Sequence, residues 1–163
     1  MTAGNLRRLE NDHRAIRETF VGDPYVEITE LGTAPFDKYK IVYKVPSLRQ
    51  KPNGQPVRVA ATNVEITLPN GYPRIPPVAR TMGGDVVFHP NFNASKICLM
   101  DDWAPGVQLT DLIIEIGEML QWKKYNIESP LNAQAANWSQ ANLHELPLSN
   151  FSIGGPAIKI VFN

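Results

Sequence analysis

The sequence predicts an α+β fold, in which one helix comes first, antiparallel strands follow, and a long loop and further helices complete the chain. Three patterns support this prediction: a helical repeat of apolar residues near the start, two stretches of alternating polar and apolar residues, and a second helical repeat after Thr110. With 163 residues, of which 43% are hydrophobic, the chain suits one domain with one core.

The first helix is predicted between Asn5 and Phe20. Apolar residues recur there at helical spacing, at Leu6, Leu9, Ile16 and Phe20. Gly22-Asp23-Pro24 ends the helix, because proline disfavours helical backbone in the residue before it and glycine accepts a positive φ. Two interpretations stay open for the basic residues of its polar face, a solvated surface or a docking surface: Arg7, Arg8, Arg14 and Arg17.

Two alternating stretches predict an antiparallel hairpin. Lys38–Val45 and Val57–Leu68 each place apolar residues on one face, and Pro52-Asn53-Gly54 supplies a turn between them. Four prolines between Pro69 and Pro77 then exclude a helix or a central strand, so a shaped surface loop is expected. Beyond it, Val78–Thr81 and Asp85–Phe88 are predicted to pair as short strands around Gly83-Gly84.

The second half is predicted to be a loop followed by helices. His89 to Val107 lacks any sustained period, Thr110 is the predicted cap of a helix with an apolar stripe, and Ser129-Pro130 begins a further helix that Pro147 stops. A short strand is predicted at Ile158–Phe162.

Charge and cysteine content exclude several classes of function. Sixteen Lys and Arg balance sixteen Asp and Glu, so no overall field draws the chain to nucleic acid or to an acidic membrane. Apolar runs are too short to span a bilayer and no leader pattern is present, so a cytoplasmic protein is expected. Cys98 is the single cysteine and the three histidines are far apart, which predicts no disulfide, no metal site and no cofactor.

The loop after residue 88 holds the residue types that carry chemistry. Cys98 is either a small buried apolar residue or a nucleophile that accepts an activated acyl group. In the second case the amide of Asn91 could stabilise the oxyanion that forms on the attacked carbonyl. His89 either bonds its own loop or acts as a general base, and Trp103 is expected to anchor the core.

Five ordered motifs in this region resemble those of ubiquitin-conjugating enzymes. They are Tyr72-Pro73-Arg74-Ile75-Pro76-Pro77, His89-Pro90-Asn91, Ile97-Cys98-Leu99, Trp103-Ala104-Pro105, and Pro130-Leu131-Asn132 with Ala135-Ala136. The resemblance covers about residues 64–138 and implies the ubiquitin-conjugating (UBC) fold, with a leading helix, a four-stranded antiparallel sheet and helices around a catalytic loop. It favours Cys98 as a nucleophile.

The resemblance also implies roles for individual residues. Cys98 would accept the C-terminal glycine of ubiquitin or a ubiquitin-like protein from an activating enzyme as a thioester, and Asn91 would support the oxyanion when a lysine of a target protein attacks. His89 and Pro90 would hold the loop that presents Asn91. Ser129, with Glu128 beside it, matches the position that orients or deprotonates the lysine.

Partner surfaces follow from the same resemblance. Arg74 and Ile75, with Ala104 and Pro105, match the two loops offered to ligases. Arg7, Arg8 and the rest of the first helix match the face offered to the activating enzyme and the ligase. Because these faces overlap, one partner must leave before the other binds.

Departures from the family pattern predict a divergent member. Asn91 and Cys98 are seven residues apart, one fewer than the common spacing, and Cys98 to Trp103 is also shortened. A core at about 5–145 and a divergent tail at 146–163 are expected, as in bacterial relatives found with a ubiquitin-like modifier, an activating-enzyme homologue and a deubiquitinase-like peptidase, systems of antiphage defence. Two alternatives stay open: a non-catalytic binding variant of the fold, and a cysteine hydrolase that uses Cys98 with His89 or His144.

Overall fold

The computed structural model describes residues 3–84, 86–99 and 102–155, and it has the predicted α+β architecture. Its helices are α1 (Ala3–Phe20), α2 (Leu109–Leu120) and α3 (Ala133–Ala141), with a short 3₁₀ turn at Leu143–Glu145. Its strands are β1 (Val26–Glu30), β2 (Lys38–Tyr43), β3 (Ser47–Gln50), β4 (Pro56–Val59), β5 (Thr62–Thr67) and β6 (Val78–Thr81). The predicted strand at Ile158–Phe162 lies outside the described residues.

A four-stranded antiparallel sheet in the order β1-β2-β5-β6 forms the centre of the fold. Alternate residues of β2, such as Tyr39, Ile41 and Tyr43, are fully buried against the helices. The Tyr43 hydroxyl donates to the Ile113 carbonyl of α2 at 2.7 Å, which ties the sheet to that helix. The predicted helix, sheet and following helices are therefore confirmed.

The predicted hairpin is correct in part. β2 pairs with β5, as expected, but β3 and β4 form a second hairpin between them, so the stretch Val57–Leu68 is two strands. It divides at Ala60-Ala61, where the chain leaves the small hairpin for the main sheet. The short edge strand β1 was not predicted.

Three local expectations are wrong. Val78–Thr81 pairs with β5, and Val87 forms a bridge with Arg49 of β3, so no hairpin joins residues 78–81 to residues 86–88. Helix α2 begins after Gln108, whose carbonyl accepts from Asp111 at 3.1 Å, so Thr110 is not the cap. Helix α3 begins after Asn132, whose side chain accepts from the Ala135 N–H at 3.0 Å, and it ends at Ala141, before Pro147.

Neither a membrane span nor a metal cluster is found in the described part of the chain. None of its helices has the length and apolar character needed to cross a membrane. The same residues contain no group of three or more His, Cys, Asp and Glu placed to hold a metal ion.

Candidate active site

A small hairpin places Asn91 and Cys98 opposite each other. Phe92 and Ile97 form an antiparallel bridge and are both buried, and the Cys98 N–H donates to the Asn91 carbonyl at 2.8 Å. The register that pairs residue 92 with residue 97 also pairs residue 91 with residue 98, and side chains that oppose each other in such a pair lie on one face. The spacing of seven residues is therefore the spacing of a tight hairpin. Cys98 is exposed, so it is not the buried apolar residue of the first interpretation.

The turn of this hairpin is closed by an asparagine. The side chain of Asn93 accepts hydrogen bonds from the backbone N–H groups of Ser95 at 2.8 Å and Lys96 at 2.9 Å. The Asn93 N–H in turn donates to the Lys96 carbonyl at 3.0 Å. Asparagine is favoured in such turns because its side chain replaces a backbone acceptor. The hairpin that carries Cys98 is thus fixed at its tip.

The carboxamide of Asn91 is held by the backbone of Asn126. Its nitrogen donates to the Asn126 carbonyl at 3.1 Å, and its oxygen accepts from the Asn126 N–H at 2.9 Å. Exchanging the nitrogen and oxygen would set donor against donor, so these two bonds determine the orientation of the amide. An amide nitrogen carries two N–H groups, and in the described chain only one of them is taken.

The buried imidazole of His89 fixes the backbone of the loop that carries Asn91. Its Nδ1 accepts from the Asn91 N–H at 3.0 Å, and its Nε2 donates to the Lys124 carbonyl at 3.1 Å. The ring is completely buried, and desolvation lowers the pKa of His89 to about 3, against a smaller opposing effect of the Lys124 carbonyl. A neutral imidazole with both nitrogens bonded to backbone groups has no nitrogen left for proton transfer.

Backbone bonds on both sides strap the loop to the scaffold. The N–H of Phe88 donates to the Leu48 carbonyl of β3 at 2.8 Å. The carbonyl of Pro90 accepts from Leu131 at 2.8 Å and from Asn132 at 3.0 Å. The segment before Asn91 is therefore fixed by β3 and by the start of α3, a degree of order that a preorganised site requires.

Ser129 and Glu128 lie on the segment that holds Asn91. Both are exposed, and the Glu128 N–H donates to the side chain of Asn126 at 2.8 Å. Since Asn126 also bonds the Asn91 amide, the structure connects Glu128 to Asn91 through a single asparagine.

Five of the six predicted partner-binding residues are exposed. Arg7, Arg74, Ile75, Ala104 and Pro105 are all exposed. The Trp103 indole N–H donates to the Pro73 carbonyl at 2.7 Å and links the two loops, so Trp103 is a partly buried bridge.

Arg8 connects α1 to these loops by internal bonds. Its guanidinium donates to both oxygens of Asp12, at 3.0 and 2.9 Å, and to the carbonyls of Pro105 and Val107. Asp12 is 3% exposed and also accepts from the Tyr72 hydroxyl, whose pKa is raised by burial and by that carboxylate. Arg8 thus holds the surface together, whereas Arg7 beside it faces solvent.

Sequence reasoning missed Asp12 and Asn126. Asp12 had a signal, because it occupies the apolar face of α1 between Leu9 and Ile16, where a carboxylate needs a partner. Asn126 acts on Asn91 through its backbone, and backbone groups leave no mark in the residue type.

The fold, with its leading helix, four-stranded antiparallel sheet and following helices, defines the class of protein as an α+β domain of the ubiquitin-conjugating type. A family model described as ubiquitin-conjugating enzyme matches residues 37–147. The chain is 30% identical over 119 residues to the Ubiquitin-conjugating enzyme E2 S of Drosophila mojavensis, an alignment that covers 67% of this chain and 56% of that protein. The corresponding protein of Drosophila erecta is also 30% identical, with 67% and 55% covered.

The chain belongs to the ubiquitin-conjugating enzyme family. It spans little more than half the length of the curated relatives that it matches.

Proposed function

We propose that this chain accepts the C-terminal carboxyl group of ubiquitin, or of a ubiquitin-like protein, as a thioester on Cys98 and transfers it to a lysine amine of a target protein. The observation that carries this proposal is the register of the hairpin between Asn91 and Cys98, which pairs the exposed cysteine with a residue whose carboxamide is fixed by Asn126. A thiol is nucleophilic enough to take an acyl group that is already activated.

The reaction has two steps that place different demands on the site. First, the Cys98 thiolate attacks the thioester of an activating enzyme, so one sulfur–carbon bond forms and the activating enzyme's thiol leaves. Next, a lysine amine attacks the new thioester, and its carbonyl oxygen becomes negative before the Cys98 thiolate leaves and the amine loses a proton. The remaining N–H of Asn91 is the donor for that oxyanion.

His89 supports this chemistry as a holder of the loop. Its two backbone bonds fix the Asn91 N–H and the Lys124 carbonyl, and the second of these lies two residues before Asn126. Ser129 and Glu128 are exposed on the segment after Asn126, where they orient the lysine or accept its proton.

The surface built from α1 and the two loops is proposed to bind the activating enzyme and, where one is used, a ligase. Arg7, Arg74, Ile75, Ala104 and Pro105 supply its exposed groups. The overlap of the two partner faces that the resemblance implies means that these partners bind in turn. A bacterial antiphage system stays a prediction from the resemblance, and a cytoplasmic location stays a prediction from the apolar pattern of the sequence.

Two alternatives have less support. A non-catalytic binding variant has no use for an exposed cysteine opposite a fixed amide. A cysteine hydrolase needs a histidine nitrogen near the thiol, and both nitrogens of His89 are bonded to backbone groups. His144 lines a cavity with Leu48, Arg58 and Trp138, and that cavity includes no residue of the hairpin that carries Cys98.

The test is incubation with an activating enzyme, its modifier and ATP, followed by non-reducing electrophoresis. The wild type should form an adduct that added thiol removes. Cys98→Ser should form a thiol-resistant ester or no adduct, and Cys98→Ala should form none. A wild-type protein that stays unmodified while a known conjugating enzyme is charged in the same mixture would rule out the proposal.

A further inference from the structure

Trp122 has a backbone conformation that its residue type disfavours. It follows the end of α2, where the Trp122 N–H donates to Met119 and the Lys123 N–H donates to Glu118, both at 2.9 Å. This pair of bonds is the Schellman motif, whose left-handed position is usually glycine. Trp122 occupies that position with φ 59°, the single positive φ of a non-glycine residue in the described chain.

The indole ring is also buried at a cost. It is 1% exposed, and its N–H meets no acceptor among the residues that the structure describes. Glycine would remove the backbone cost, and phenylalanine would remove the unpaired N–H. Because this tryptophan combines a disfavoured backbone conformation with an unpaired buried N–H, its ring is expected to have a function of its own.

The indole ring packs against His89 and against the segment Lys124–Asn126, which together hold Asn91. Its centroid is 5.0 Å from that of His89 and 5.1 Å from that of Tyr125, which lies between Lys124 and Asn126. Lys124 bonds His89 through its carbonyl, and Asn126 bonds the Asn91 carboxamide through its backbone. Trp122 therefore packs against the His89 ring and against Tyr125, the residue between the two backbone groups that support that amide.

We propose that Trp122 is a positioning residue for the transfer step, because its ring, fixed by the left-handed turn, holds His89 and the Lys124–Asn126 segment in the arrangement that orients the Asn91 amide. This inference rests on the proposed function. It predicts that loss of the ring affects aminolysis, which uses Asn91, and spares thioester formation, which does not.

Three substitutions at this position distinguish the effect of the backbone conformation from the effect of the indole ring. Trp122→Gly keeps the turn and removes the ring, Trp122→Phe keeps an aromatic ring and removes the N–H, and Trp122→Leu keeps part of the apolar volume if the glycine variant is unfolded. Trp138→Leu is the matched control, because Trp138 belongs to the same aromatic cluster. Its ring centroid lies 6.2 Å from that of Trp122 and 5.4 Å from that of Phe88. Each variant is compared below its melting temperature.

The experiment first charges each protein, then measures single-turnover discharge of the thioester to free lysine. Trp122→Gly or Trp122→Leu should charge within about twofold of wild type and discharge at least tenfold more slowly, whereas Trp122→Phe and Trp138→Leu should discharge within about twofold of wild type. In an Asn91→Ala background, loss of the Trp122 ring should slow discharge by less than about a further twofold, since both changes act on the same amide.

A spectroscopic measurement gives a second test that does not depend on turnover. In the NMR spectrum, the side-chain amide protons of Asn91 should exchange with water faster in Trp122→Gly than in the wild type or in Trp138→Leu. The inference is overturned if ring loss leaves discharge unchanged, slows charging and discharge equally, or adds fully to Asn91→Ala. Failure of the wild type to charge would instead refute the proposed function.

Discussion

The bonds of Arg8 lead to a sharp prediction about stability. Arg8 and Asp12 have side chains that are 18% and 4% exposed, and Arg8→Ala leaves the buried carboxylate with the Tyr72 hydroxyl as its remaining side-chain partner. Removing one partner of a buried ion pair costs about 3–5 kcal/mol. Because Arg8 is partly exposed and Asp12 keeps the hydroxyl, we expect a loss of about 2–4 kcal/mol in the free energy of unfolding.

Urea denaturation and calorimetry measure this loss, and Arg7→Ala is the control from the neighbouring position. A loss of this size corresponds to a decrease of roughly 5–15 °C in Tm for a chain of this length. Arg7 is exposed, so Arg7→Ala should change stability by less than about 0.5 kcal/mol. The reasoning is refuted if Arg8→Ala and Arg7→Ala unfold at the same urea concentration.

Three further predictions concern buried groups of the core and the loop. His89 binds a proton below about pH 6.5 in the unfolded chain, whereas its pKa in the folded chain is about 3, so acid favours unfolding. Between pH 7 and pH 5 the wild type should lose about 2 kcal/mol in the free energy of unfolding, measured by urea titration, and His89→Gln should not show this loss. Tyr39→Phe removes a hydroxyl without a partner in the described chain, so stability should stay unchanged or rise by up to about 1 kcal/mol. Tyr43→Phe breaks the 2.7 Å bond to the Ile113 carbonyl and should lose about 0.5–1.5 kcal/mol; equal effects of the two changes would contradict this. At Gly117 a Cβ would overlap the Ile153 Cδ1 and lie 3.2 Å from the ring of the buried Tyr43. This crowding exceeds the gain of about 1 kcal/mol in helix propensity, so Gly117→Ala should lower Tm by the equivalent of about 1–2 kcal/mol and Ile153→Ala should restore part of it; a raised Tm would contradict this.

Regular periodicity predicted the main elements of the fold. Leu9, Ile16 and Phe20 are buried on α1, and the alternating residues of β2 face the core, because hydrophobic spacing reports directly on a buried face. The pattern does not separate β4 from β5, and it gives no sign of β3. These two strands of the small hairpin, β3 and β4, have only four residues each, too few for alternation to mark where one ends.

The boundaries of the later helices depend on local bonds that residue preferences do not decide. Thr110 and Ser129 are common cap residues, but the chain begins α2 at the carbonyl of Gln108 and α3 at the side chain of Asn132. Asn132 is also held by Pro90, a contact between residues 42 positions apart in sequence. Such tertiary contacts are invisible to a local pattern.

The site itself was partly visible in the sequence. Motif order brought Cys98, Asn91 and His89 into one loop, and the hairpin register explains how residues 98 and 91 still pair at their shortened spacing. The supports of that amide were not visible, because Asn126 acts through its backbone. Arg8 was predicted to face a partner, and its role inside the chain became clear only from Asp12 and the carbonyls that surround its guanidinium.

The central claim is that the amide across the hairpin acts on the acyl group that the thiol carries. The most direct measurement compares the first-order rate of discharge to free lysine of isolated thioesters of the wild type and Asn91→Ala. We predict that Asn91→Ala charges normally and discharges roughly 10²- to 10³-fold more slowly. Equal discharge rates would show that Asn91 only braces its loop.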